Sequence, residues 1–354
     1  MVTIGVDYHK RTSSYRVLDD AGQTIRACKF ENTRDAIRLF IAGIEGPKQL
    51  AMEATRSWGL YHDTVRDLVD VFYLGHPLKM KAITESETKH DCKDAELIAR
   101  LTRSNFLPTS YVSALDTRQL RGLLRFRRFL VQQRASLRHQ VHTLIDRNFF
   151  PAELPGSFKN FFCKRGLEWL AGVALPARER FILDQCLASH GDLSARIASL
   201  ERFLQGQTYD LPGLAYLRTT PGFRASLVNA LTVLLEAGDI ARFHKARGFA
   251  HYAGLIPREF SSGEHHRTGR LVKHANMHLR TAFIESTLTA LRAEPGLRAY
   301  YMSVKKRSGS SDAVIATARK LACAAYHVLK EQRPYRAEPL PPAAASKPYA
   351  GSCR

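Results

Sequence analysis

What this chain lacks closes several classes of function. Its six cysteines (Cys28, Cys92, Cys163, Cys186, Cys323, Cys353) never form a Cys-x-x-Cys pair. Neither a zinc site nor a disulfide framework is indicated, and a reducing cytosol fits. No uninterrupted apolar run reaches the ~20 residues a membrane span needs. The opening MVTIGVDYHK reads as a strand, where a secretory signal would show a charged and then an apolar region. No glycine-rich nucleotide-binding loop is visible, so ATP-driven chemistry is not expected. Acid is also scarce: 33 Asp and Glu stand against 53 Lys and Arg, for a formal net charge of +20. That excess calls for a polyanionic partner, nucleic acid ahead of membrane. A cytoplasmic, nucleoid-associated protein with no membrane partner is the expectation.

What is present can fold. With 45% hydrophobic residues across 354 positions, the chain can bury a core and has room for two domains and a connector. The first hundred residues alternate. VTIGVDYH, SSYRVLDD and QTIRACKF read as three leading strands, with Asp20-Ala21-Gly22 as a turn. Thr33 can cap a helix in which Ile37, Phe40 and Ile41 recur at helical spacing. A strand QLAMEA, a helix GLYHDTVRDLVD, a strand VFYLG and a helix from Pro77 past Arg103 follow. This order predicts a mixed sheet covered by helices.

Residues 115–148 are a long amphipathic helix. Leu120, Leu123, Leu124, Leu130, Val131, Leu137, Val141 and Leu144 mark its apolar side. Arg118, Arg121, Arg125, Arg127, Arg128, Arg134 and Arg138 lie between them, with no acid from Thr117 to Thr143. A solvated face usually mixes signs, so a phosphate backbone or a partner helix is the expected use, with Arg121, Arg125 and Arg128 as contacts. Residues 150–215 read as broken helices. From Leu217 a second compact unit begins, in which Pro221-Gly222 opens an apolar helix in the manner of hairpins that hold a DNA backbone by helix N-terminal amides. The Pro- and Ala-rich tail from Pro334 is expected to be disordered.

Four carboxylates carry chemistry by placement. Asp7 sits near the end of the first strand and Glu53 ends the fourth. Asp91 and Asp94, in KHDCKDAELIAR, share one helical face at i, i+3. Acids ending two strands, with two more on a helix across them, can converge on a pair of divalent metals, which take oxygen ligands and steady a phosphoryl transfer.

These segments also carry a resemblance. GVDYHK, MEAT and KHDCKDAELIARL resemble, in order, the segments around the catalytic Asp, Glu, Asp and Asp of DEDD transposases of the insertion-sequence-110 family, with the related Piv-type DNA invertases. TTPGF…LLEAGDIARFHKARGFAHYAGLIPREFSSGEHHRTGRLVKHANMHLRTA resembles their C-terminal transposase domain. The resemblance implies an RNase H-like, RuvC-type domain over 1–108, with Asp7, Glu53, Asp91 and Asp94 holding two Mg²⁺ or Mn²⁺ ions. It implies a helical connector and dimerisation region over 109–215, a mostly helical serine-bearing domain over 216–333, and a tail over 334–354. Implied partners are donor and target DNA, a structured non-coding RNA, and further copies of the chain as a dimer or tetramer, with an active site composed from both domains. His90 and Cys92 replace the Thr and Arg usual in the acidic motif, Arg224 stands where a glycine is frequent, and Ala275 stands for another; no proposed ligand is lost.

The family's serine precedes a glycine, and on that match Ser262, before Gly263, is the nucleophile, with Ser261 the alternative. A serine hydroxyl needs a base, a metal or a cationic clamp. Arg267, Arg270, Lys273 and Arg280 are the expected phosphate contacts, the guanidinium forks of Arg267 and Arg270 foremost. His265 and His266 are possible bases, whereas Asn276 and His278 read as structural or helix-start residues. The rival readings are a metal-dependent nuclease that uses water, and a catalytically idle nucleic-acid binder.

Overall fold

The computed structural model describes residues 1–81, 83, 91–155, 160–262, 265–272 and 274–337, with the backbone alone at 91–93, 152, 259–262 and 265–268. The chain divides into two compact units, Met1–Asp116 and Thr117–Arg354. The stretch expected as a connector, 109–215, falls almost wholly in the second of these units.

The first unit is a mixed sheet. Its strands are β1 (Val2–Tyr8), β2 (Thr12–Leu18), β3 (Thr24–Glu31), β4 (Lys48–Glu53), β5 (Val71–Gly75) and the two-residue β6 (Thr109–Ser110). They lie in the order β3-β2-β1-β4-β5-β6, with β1, β4 and β5 parallel and the others antiparallel. Helix α1 (Arg34–Ala42) starts as expected at Thr33, whose hydroxyl accepts from Ala36 N at 3.1 Å. With α2 (Trp58–Val65) it covers one sheet face, where Ile4, Val6, Leu50 and Met52 bury themselves among Ile37, Ile41, Tyr61 and Val65.

The opposite face receives a helix. The helix expected from Pro77 past Arg103 is two: α3 (Pro77–Lys81) and α4 (Asp91–Arg103), with residues 84–90 outside the described set. Ala95, Ile98, Ala99 and Thr102 form the buried stripe of α4. Gly5 lets that stripe sit directly on β1, because a Cβ there would lie 2.1 Å from the Ala95 carbonyl oxygen and 2.6 Å from the Ala99 nitrogen. Arg16 of β2 reaches Glu96 at 3.2 Å and holds the helix sideways. At the far end Arg103 donates to the Asp20 carbonyl at 3.0 Å, and Asp20 also meets the N-terminal ammonium of Met1.

The second unit is helical around one small hairpin. It contains α5 (Leu115–Asn148), α6 (Lys164–Gly172), α7 (Ala177–Thr208), α8 (Leu214–Leu217), α9 (Leu227–Ala237), α10 (Ala246–Tyr252), β7 (Pro257–Ser262), β8 (His265–Leu271), α11 (Met277–Ala293) and α12 (Pro295–Glu331), the last kinked at Gly309. Helices α5 and α7 run antiparallel: Arg127 meets Glu201 at 2.7 Å, Arg134 meets Ser194 at 3.3 Å, Arg138 meets His190 at 3.1 Å and Arg147 meets Glu179 at 3.4 Å. As one partner's number rises the other's falls, which defines the pairing. Part of the arginine-rich side of α5 thus serves an internal seam. Burial, followed by the charges of Arg138 and Arg127, lowers the Arg134 pKa.

Two sequence expectations change in this unit. Thr220, Pro221, Gly222 and Phe223 are buried, and a Cβ on Gly222 (φ +91°) would lie 2.5 Å from the Ser286 carbonyl of α11. The glycine is spent on packing against α11, so this turn does not offer its amides to a phosphate backbone. The expected disorder from Pro334 also starts too early, because the Tyr335 amide donates to Thr219 Oγ1 at 2.8 Å. Among the described residues no helix is long and apolar enough to cross a membrane.

Two outcomes follow from this packing. Gly5→Val should lower the unfolding free energy of the first unit by about 1–3 kcal/mol, the usual cost of overpacking, read by urea denaturation. Arg138 Nε donates to His190 Nε2, so that nitrogen must stay unprotonated. Burial, then Arg138 and Arg134, lowers the His190 pKa. The folded state then binds fewer protons than the unfolded one; the contribution is complete above the ordinary histidine pKa of about 6.5 and is lost as pH falls below it. Melting curves near pH 7.5 and 5.5 should show a drop that His190→Gln reduces.

Candidate active site

Strand alternation decides where the first two acids sit. Ile4, Val6, Leu50 and Met52 face the α1–α2 layer, so Gly5 and Ala51 face α4, and Asp7 and Glu53 continue that face. Gly5 registers with Ala51 and Val6 with Met52 in the parallel β1–β4 pair. One further step brings Asp7 beside Glu53 at the C-terminal end of both strands.

The direction of α4 supplies the other two. Its C-terminal Arg103 is tied to Asp20, which is bound to Met1 at the N-terminal end of β1. Its first turn therefore lies at the opposite end, over Asp7 and Glu53. Asp91 and Asp94 extend the stripe of Ala95 and Ile98 by one turn. The structure thus brings all four backbone positions to one end of the sheet. The side chain of Asp91 is outside the described set, and among the described residues no three Asp, Glu, His or Cys side chains form a metal-holding group.

Asp7 is largely enclosed, and its Oδ2 lies 3.0 Å from His9 Nε2. His9 is placed by a small network. Asn32 Nδ2 donates to the His9 carbonyl at 2.7 Å, Asn32 Oδ1 accepts from Ser13 Oγ at 2.6 Å, and the Asn32 amide donates to the Arg11 carbonyl at 2.7 Å. In the sequence His9 stands two residues after Asp7 with nothing to mark it as a partner. Nothing in the spacing signals that Asn32, on the far side of β2, fixes the turn carrying it.

Ser261 and Ser262 lie at the end of β7, in an antiparallel hairpin that the sequence did not announce. Ser262 registers opposite His265, Ser261 opposite His266, Phe260 opposite Arg267 and Glu259 opposite Thr268. Ser262, the candidate nucleophile, is thus the last described residue before Gly263 and Glu264, which are outside the described set. The side chains of Ser261, Ser262 and Arg267, and all of Lys273, are outside it too. A glycine between two candidate strands is a sequence signal for a hairpin that could have found this element.

The root of the hairpin is firm. Gly254 (φ +69°) ends α10 with its amide on the His251 carbonyl at 2.8 Å. Leu255 and Ile256 are buried. A Cβ on Gly254 would lie 2.0 Å from the guanidinium of Arg280, which donates to the Val272 carbonyl just past β8. Burial lowers the Arg280 pKa. Its hydrogen bond runs inward, so this expected phosphate contact acts as a clasp on the hairpin. Asn276 is the helix-start residue expected, accepting from Leu279 N at 3.0 Å.

The arginines of α5 divide similarly. Arg121 Nε donates to the Leu235 carbonyl at 2.7 Å, satisfying an end of α9, and Arg125 grips Glu236 with both arms of its fork at 3.0 and 3.1 Å. Both have internal partners that the sequence could not name, since Leu235 and Glu236 lie more than a hundred residues away. Arg128 lines a cavity of about 160 Å³ together with Gln132, Asn229, Thr232, His278 and Thr281. Burial lowers the His278 pKa; Glu236 opposes this, and Arg125 and Arg128 reinforce it. Arg270 is exposed on β8.

An all-oxygen set at one sheet end, in a chain whose other unit is helical and rich in arginine, is the equipment of an enzyme acting on nucleic-acid phosphodiesters. Comparison with known proteins sharpens this. A family model described as Transposase, of the DEDD IS110 type, matches residues 4–150. A second, described as Transposase IS116/IS110/IS902 family, matches residues 214–302. The chain is 26% identical over 289 residues to a probable family 20 transposase of Pseudomonas aeruginosa, covering 82% of this chain and 84% of that protein. It is 23% identical over 350 residues to the transposase of insertion sequence element IS1111A of Coxiella burnetii, covering 94% and 91%. It is also 23% identical over 348 residues to the pilin gene-inverting protein of Moraxella bovis, covering 94% and 97%. The protein is a DNA transposase, an enzyme of DNA recombination. It belongs to the IS110 family.

For the basic face, Arg270→Ala should weaken DNA binding evenly across sequences and reduce the slope of log affinity against log salt by about one, as expected for one lost phosphate contact. A salt titration by fluorescence anisotropy reads it.

Proposed function

We propose that the first unit is a RuvC-type, RNase H-like catalytic domain and that the chain cuts and rejoins DNA with a serine nucleophile. The observation that carries the reading is the docking of α4 on Gly5, which takes Asp91 and Asp94 to the strand ends where Asp7 and Glu53 lie. The sheet order supports the fold assignment: three antiparallel strands, then two parallel ones.

Asp7, Glu53, Asp91 and Asp94 would hold two divalent cations, Mg²⁺ or Mn²⁺. The donor set fits such ions, because it is all carboxylate oxygen, the preference of hard cations. Bound there, the ions would supply charge neutralisation at the scissile phosphate. The chain's own residues do the rest. Ser262 Oγ forms a bond to phosphorus, the bond from phosphorus to the 3′ oxygen breaks, and the serine proton passes to that oxygen to give a free 3′-hydroxyl. The strand end stays on the protein as a 5′-phosphoserine until a 3′-hydroxyl attacks and releases the serine. The phosphodiester energy is kept, which agrees with the missing nucleotide loop. Arg267, Arg270 and Lys273 would bind phosphate at the hairpin, and Arg128 would do so from α5. We include in the reading a structured RNA of the element that pairs with donor and target DNA, and assembly as a dimer or tetramer.

A denaturing gel of the protein with labelled donor DNA, Mg²⁺ and RNA from the element's flanks tests it. The wild type should give a covalent protein–DNA adduct. Ser262→Ala should lose the adduct and at least about a thousandfold of the cleavage rate while still binding DNA, and Asp7→Asn should match it in cleavage. Cleavage by Ser262→Ala at the wild-type rate with no adduct would replace the serine with water as the nucleophile. An adduct through Ser261 would move the assignment by one residue.

A further inference from the structure

Glu236 is a carboxylate where electrostatics disfavours one. It lies in the last turn of α9, at the negative end of the helix dipole, and is only 3% exposed. Three donors converge on it: Arg125 Nε at 3.0 Å, Arg125 Nη2 at 3.1 Å and Asn276 Nδ2 at 2.8 Å. An apolar side chain could fill this space without needing any of them. It could not tie α5, α9 and the residue leading into α11 to a single point.

Asn276 is what makes that point informative. Its side-chain oxygen starts α11 by accepting from Leu279 N, and its amide donates to the Tyr252 carbonyl at 3.1 Å. Its Nδ2 also reaches Tyr252 Oη at 3.4 Å. Tyr252 closes α10, two residues before the turn that leads into β7, and Asn276 lies five residues after β8 ends. Both legs of the β7–β8 hairpin therefore pass through Asn276, and Asn276 is held by Glu236. The Arg280 clasp secures the same legs nearer the strands, between Gly254 and Val272.

We propose that Glu236 is a positioning residue of the transposase. Through Asn276 it sets the direction in which the hairpin presents its serine end, and Arg125 keeps the carboxylate in place. The proposal rests on the reading of Ser262 as nucleophile for its catalytic consequence, but not for its structural one. A glutamine at 236 keeps one accepting oxygen and turns an NH2 toward the remaining donor, so it cannot take all three hydrogen bonds at once.

The test uses the full-length protein with Glu236→Gln, Asn276→Ala and the double variant. Asn276→Ala leaves the Arg125–Glu236 pair intact, so it reads the link even if Glu236→Gln folds poorly. Hydrogen exchange is the first measurement. Amides of 254–258 and 269–276 should exchange at least about tenfold faster in each single variant, with α12 unchanged. The second is single-turnover cleavage of labelled donor duplex at saturating DNA. The rate should fall about tenfold to a hundredfold while affinity stays within about twofold, because misplacing a reacting group by about 1 Å has effects of that size. The double variant should be no worse than the poorer single one. Faster exchange spread evenly over the second unit, unchanged exchange in both single variants, or additive losses in the double variant would overturn the proposal. Ser262→Ala run alongside reads the nucleophile separately: if it still cuts, the serine reading falls, and the exchange pattern alone decides whether Glu236 holds the hairpin.

Discussion

The missing Cβ of Gly5 is the constraint on which the carboxylate-bearing end of the first unit depends. A helix resting on a sheet normally stands off by the length of the side chains between them, near 10 Å between axis and sheet. Here the backbone of α4 touches the backbone of β1 at Ala95 and Ala99. That contact brings the first turn of α4 down to the level of short carboxylates on β1 and β4, which a Leu-on-Leu layer would hold too far away. Arg16 and Arg103 then fix the helix laterally and along its length. Three residues outside the carboxylate set thereby decide whether its four backbone positions can meet.

The second unit shows how a strongly basic chain folds with so few acids. The Arg127–Glu201 pair and the Arg138–His190 contact use guanidinium groups to specify an antiparallel helix pair, and Arg121 and Arg242 satisfy carbonyls at the end of α9. Polar layers of this kind usually cost stability and return register and orientation. The free basic surface is correspondingly smaller than the net charge of +20 suggests. What remains at the surface includes exposed groups such as Arg270.

The sheet, its strand order of appearance and the cap at Thr33 were legible because alternation and capping are local signals. Asp7 and Glu53 stood out as strand-end acids, and Asp91 and Asp94 as an i, i+3 pair on one helical face, which are local signals too. The hairpin was missed although Gly263 offered a turn signal, because PREFSS and HHRTGRL carry little β-branched content. Pro221-Gly222 was misjudged because a glycine needed for close approach looks the same whether the approaching atoms belong to a phosphate or to Ser286. The roles of Arg121, Arg125 and Arg280 depended on partners or turns set by tertiary packing, which no spacing rule reaches.

The β7–β8 hairpin has a mechanical property that follows from its length. Six residues of strand span roughly 20 Å, so the serine end stands far from the residues that hold the base. It behaves as a lever. A tilt of about three degrees at Gly254 and Asn276 would carry the far end through about 1 Å. Precision at the tip is therefore set at the pivot, where the Arg280 guanidinium packs tightly against Gly254.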